Sequence, residues 1–174
     1  MILRRGSRPV RRLLFVFVMT TLLGCPPGGP VEPSILLGSG EVEFELVEDG
    51  QVLQVIQGPQ NGFHVLGSLL VQGLQTGDPN DLSNPFNPTT SFDVFHEGDS
   101  VILIEPFTQG LDEAPAVDAP WSHQLVGRFV ALDIAADDVL DGEVVTISAR
   151  VDDVNGLSAV DEVTVELEPH PFNQ

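Results

Sequence analysis

The chain of 174 residues contains no tyrosine, one cysteine and one tryptophan, and its seven basic residues are all arginines, so lysine is absent too. Each scarcity removes a class of chemistry. Without lysine there is no Schiff base and no Ser-x-x-Lys dyad, and no Gly-x-Ser-x-Gly stretch marks a nucleophile elbow. One cysteine cannot form an internal disulfide, so stability must come from an apolar core. Positive charge is scarce and unevenly placed. Arg4, Arg5, Arg8, Arg11 and Arg12 crowd the start, and only Arg128 and Arg150 stand against 26 acids in the remainder, a net of −24 there. Such a charge repels phosphate backbones and anionic lipid head groups, which argues against nucleic-acid binding, while divalent cations and basic partners remain compatible with it. The same crowding predicts self-repulsion and carboxyl pKa values raised in the folded state.

Between the leading arginines and the cysteine, residues 13–24 read LLFVFVMTTLLG. This is the basic-then-apolar order of an export signal, in a run too short to span a bilayer permanently. Its end, Leu22-Leu23-Gly24-Cys25, resembles the lipobox of bacterial lipoproteins. The resemblance implies that residues 1–24 are a signal peptide, that Cys25 carries a diacylglycerol on its sulfur, and that the mature chain of 150 residues is held on a cell-envelope membrane of a Gram-negative-type bacterium. That length is one ordinary domain. Residues 25–40, with Pro26, Pro27, Gly28, Gly29, Pro30 and Pro33, read as a tether, and 41–170 as the domain.

Residues 41–46 alternate strictly, with Val42, Phe44 and Leu46 on one face and Glu41, Glu43 and Glu45 on the other, the period of a half-buried strand. Asp49-Gly50 suits a tight hairpin turn. Further strand patterns cover 51–57, 63–74, 91–96, 100–105, 126–134, 143–151 and 159–167, separated by Gly, Pro, Asn and Asp clusters. In 126–134 the inward set is Val130, Leu132 and Ile134. Residues 106–124 have no period and contain Pro115, Pro120 and Trp121, so they read as a packed cap or a binding loop. Residues 84–92, NPFNPTTSF, are similar to the opening of the sorting domain of type IX secretion cargo. The chain departs from that pattern further on, having no tyrosine for its closing aromatic strand, and the stretch reads as a proline-rich turn into a strand.

The stretch 144–167, VVTISARVDDVNGLSAVDEVTVEL, resembles the closing hairpin of bacterial immunoglobulin-like domains of the PKD and cadherin-like kind, in which an Asp-rich Asn-Gly turn leads into alternating Val and Thr. The resemblance implies an all-β fold, a single immunoglobulin-like antiparallel β-sandwich of about eight strands.

Site signals are weak. Asp78-Pro79-Asn80-Asp81 resembles four of the five positions of the cadherin calcium linker, with Leu82 at the fifth, and Asp152, Asp153 and Asn155 share one turn. Calcium wants six to eight oxygens, and neither stretch supplies a full set. His64, His96, His123 and His170 lack any spacing that would pair two on one face, and His64 reads as a hydrogen-bonded histidine at a sheet end. Trp121, near Phe107 and His123, suits either stacking on a sugar or peptide or plugging one end of the fold. No catalytic residue, metal ligand or cofactor is assigned. The expectation is a lipid-anchored binding or structural module whose protein or carbohydrate ligand is undefined. The rival is a small hydrolase with His and carboxylate groups at one end of the sandwich. A convergent His and carboxylate cluster would favour the enzyme, and an open sheet face or a loop-lined apolar groove the binder.

Overall fold

A computed structural model describes residues 31–58 and 60–173, so the export segment and Cys25 lie outside the described residues. In chain order the strands are β1 (Ser34–Ser39), β2 (Glu45–Leu46), β3 (Val52–Gln57), β4 (Phe63–Gln72), β5 (Thr89–His96), β6 (Asp99–Ser100), β7 (Phe107–Thr108), β8 (Asp112–Glu113), β9 (His123–Leu132), β10 (Val144–Asp152) and β11 (Ser158–Pro169). The described residues contain no α-helix, only two 3-10 turns at Ala116–Asp118 and Asp137–Leu140, and no helix long and apolar enough to cross a membrane. The protein is all-β.

Ladder hydrogen bonds join the eleven strands into one open mixed sheet. Its path runs β2-β1-β4-β3-β11-β10-β5-β6, with β9 on β4, β8 on β9 and β7 on β5. The sheet has two antiparallel arms, one built on β1, β4 and β9 and the other on β5, β10 and β11. Strand β3 links them: Ile56 and Gln57 pair antiparallel with β4, while Val52 through Val55 run parallel to β11. Period-two alternation sets the buried faces. Val145, Ile147, Ala149 and Val151 of β10 are buried, as are Val163, Val165 and Leu167 of β11. They form one apolar cluster with Ile35 and Leu37 of β1, Val65 of β4, Phe92 of β5 and Val130 of β9, so the inner faces of both arms share a core. The approach is closest at Gly67, where a Cβ would lie 2.8 Å from the Phe92 ring and 3.0 Å from Val130. Only a residue without a side chain fits there unless Phe92 moves.

Four expectations change. The tether predicted over 25–40 is cut short, because β1 pairs with β4 from Ser34↔Gln72 to Gly38↔Ser68. Burying Ile35 and Leu37 there is worth roughly 1.5–3 kcal/mol each. The strand predicted over 41–46 shrinks to Glu45–Leu46, and Val42 is 88% exposed. The place beside β4 is already filled by β1, and Gly40, at φ 101°, turns the chain so that 41–44 become loop. The fold is not antiparallel throughout, because β3 runs parallel to β11. Parallel neighbours need a long crossover in place of a hairpin, and here 100 residues lie between the two strands; the pairing covers the outer edge of β11 and seats the fully buried Val55. Finally, eleven strands replace eight. The segment 100–105 keeps only β6 and a bridge between Ile102 and Leu132, while the aperiodic 106–124 contributes β7 and β8.

Candidate functional site

The sequence-predicted polar residues are placed apart. His64, on β4, packs its ring on Phe129 with centroids 4.5 Å apart in place of the hydrogen bond expected for it, and burial holds its pKa below the usual imidazole value. Nε2 of His96, at the end of β5, meets Glu143 Oε2 at 3.1 Å. His123 Nδ1 lies 3.0 Å from Ser122 Oγ, and His170 Nδ1 accepts the Phe172 N–H at 3.2 Å. His170 also lines a polar cleft of about 380 Å³ with Glu41, Glu45 and Gln54. Among the described residues, no group of three or more His, Cys, Asp or Glu side chains is placed to hold a metal ion.

The carboxylates of the calcium reading serve the turns. Asp78 Oδ1 accepts the Asn80 N–H at 2.9 Å. Asp81 Oδ1 accepts from the Ser83 hydroxyl at 2.7 Å and the Ser83 N–H at 2.9 Å, donations that hold its carboxyl below the usual range. Asn87 is buried; its Oδ1 accepts from Asp78 N–H and its Nδ2 donates to the Asp81 carbonyl, so it ties the same loop together. Asp152 is held low by the Arg150 guanidinium and then by Ser158. Trp121 is half-buried in the turn before β9, where its backbone N–H donates to the Asp118 carbonyl at 3.0 Å.

A different group of residues lines a second, open recess. On its outer side β9 pairs with β8 only at His123 and Gln124 and meets the 101–103 segment only near Ala131 and Leu132. Between those contacts the chain of 104–108 leaves β9 to pair, as β7, with β5. The notch left in the sheet edge opens into a cleft of about 370 Å³ lined by Ile104, Glu105, Phe107, Gly127, Arg128 and Phe129. Arg128 lies over the Phe107 ring, 5.2 Å from its centroid, a cation–π placement. It donates Nη2 to the Gln109 side-chain oxygen, and its buried Nε has no acceptor. Burial lowers its pKa from the ordinary arginine value, against the opposing charge of Asp112. Ile104 and Phe107, both half-buried, give the cleft its apolar wall.

Comparison with protein-family models, curated proteins and solved structures finds no match.

In the sequence Arg128 is a scarce cation with no site assigned to it. A signal was present, since the inward alternation of Val130, Leu132 and Ile134 places residue 128 on the same face. A lone arginine on a core-facing stripe is a group whose partner must be found elsewhere. Which segments stand beside it depends on contacts far apart in sequence.

Proposed function

We propose that this protein is a lipid-anchored binding module of the bacterial cell envelope, its two arms arranged as an immunoglobulin-like sandwich carried on a diacylglycerol-modified Cys25. The observation that carries the binding assignment is the notch in the β9 edge, an open recess lined by Ile104 and Phe107 beside Arg128, whose Nε has no acceptor. Recesses of this kind, mostly apolar with few polar groups, are the usual form of a ligand site. The four histidines each have a different local partner, an arrangement suited to structure more than to proton transfer, which needs groups within hydrogen-bond reach of one another. The apolar cluster shared by the two arms supports the sandwich, and the arginine-rich start, the apolar run and Leu22-Leu23-Gly24-Cys25 support export and lipidation.

The test is chemical. In a bacterial host the membrane fraction should yield a chain that partitions into detergent and whose intact mass corresponds to a lipidated Cys25 at its N-terminus. Cys25→Ser should abolish both. A wild-type chain that is freely soluble and begins at another residue would overturn the anchoring.

A further inference from the structure

The two arginines of the described residues are used in opposite ways. Arg150 is paired with a carboxylate: Nε and Nη2 meet both oxygens of Asp152 at 2.7 and 2.6 Å, and Nη2 also reaches Ser158 Oγ at 3.0 Å. Arg128 has one neutral acceptor, Gln109, and no carboxylate of the described residues within ion-pair distance, although the chain holds 26 acids. A half-buried guanidinium with a donor left unsatisfied is costly to keep. Its planar fork matches the two oxygens of a carboxylate, as it does those of a phosphate. The surroundings of Arg128 are apolar, with Phe107 against the guanidinium and Ile104 and Phe129 lining the same cleft.

We propose that the β9 notch binds the carboxylate of a molecule with an apolar body, Arg128 taking the carboxylate while Phe107 and Ile104 take the body. The volume, at the small end of the range for ligand sites, suits one aryl or branched alkyl group. Multiply charged anions are selected against, because Glu105 lines the same cleft and Asp112 acts on Arg128 from nearby, within a domain of net −24. Two sources supply this chemistry, a free organic monocarboxylate and the C-terminus of a peptide that ends in an apolar residue. The proposal rests on the binding-module reading and specifies its ligand.

The full chain, ¹⁵N-labelled and held in a non-ionic detergent, is titrated with 3-phenylpropionate and with its uncharged amide, while the Arg128 Nε–Hε resonance and the Gly127 and Phe129 backbone resonances are followed. The acid should give a saturable shift with a Kd of about 1–5 mM, and the amide none. Ala-Ala-Phe with a free C-terminus forms the second arm. Binding about tenfold tighter than 3-phenylpropionate identifies a peptide terminus as the source, and equal or weaker binding a free acid. Arg128→Lys keeps the charge but loses the fork and should weaken binding at least about tenfold. Glu105→Gln, at an exposed position, should tighten it. Equal binding of acid and amide, no shift up to about 20 mM acid, or a Glu105→Gln chain that binds no more tightly than wild type overturns the site. Detergent partitioning of the same samples reads the anchoring separately, so a lipidated chain that ignores both acids removes the carboxylate site alone.

Discussion

Asp153, buried in the turn between β10 and β11, accepts three backbone N–H groups: Asn155 at 2.8 Å and Leu157 at 2.9 Å on Oδ1, and Gln75 at 3.0 Å on Oδ2. Burial pushes its carboxyl pKa up, but the donated hydrogen bonds outweigh that push and hold it below the usual value. Asp153→Ala leaves those donors without their acceptor and is expected to cost about 1–3 kcal/mol, read as a fall in melting midpoint of about 3–10 °C. Asp153→Asn should recover only part of this, since its amide nitrogen cannot accept from Gln75 or from the Asn155 and Leu157 pair. The pH dependence follows from the depressed folded pKa. The unfolded chain binds the proton more readily, so the contribution is complete above the unfolded pKa, near 4, and fades as pH falls from there through the folded value. Melts of wild type and Asp153→Ala should therefore converge below about pH 4. A gap that is the same at pH 7 and pH 3 would show that the charge is not what holds the turn. Acid crowding predicts raised carboxyl pKa values, whereas Asp81, Asp152 and Asp153 all lie low. Each has donors aimed at it, and a donor in contact outweighs like charges at a distance across solvent.

At the scale of elements, the relation between the arms depends on how closely β4 approaches β5. Gly67 stands at that point, with room for a Cβ only if the Phe92 ring gives way. Gly67→Ala should destabilise by about 1–3 kcal/mol through overpacking. Phe92→Leu, introduced with it, should return part of that loss even though the single Phe92 change is itself destabilising. A double-mutant cycle in urea would read a coupling of about 1 kcal/mol or more. Strict additivity would mean that the two arms do not meet there. Strand β1 shows a second constraint: beyond its pairing with β4, its Leu37 N–H donates to Asp161 Oδ2 of β11 at 2.7 Å. A carboxylate placed against an edge strand also discourages further strands from pairing there.

Across the whole molecule, charge is the dominant long-range term. Two arginines oppose 26 acids outside the export segment, and one of the two is spent on an exposed pair with Asp152, the kind of pair worth little. Repulsion among exposed acids farther apart than about 8 Å is largely screened at physiological ionic strength. The urea midpoint should therefore rise as monovalent salt is raised from low values at neutral pH. A midpoint that falls would mean that specific charge pairs, and not diffuse repulsion, govern stability.

Composition and period were enough to determine the all-β class, a turn at Asp49-Gly50, although β2 and β3 on either side of it do not pair as the expected hairpin, and β5, β10 and β11 to within two residues at each end. Period-two patterns are local, and in those strands one face is wet and the other dry, so alternation alone reports them. Only the tertiary structure decided which of two adjacent apolar stretches, 34–39 or 41–46, lies beside β4, and that β3 runs parallel to β11. It also decided that Arg128 faces Phe107 and Gln109 with no acid paired to it. Alternation tells which residues of a strand share a face; which strand becomes its neighbour is a competition among distant segments for the same edge and the same core volume, settled by packing that no single stretch of sequence contains.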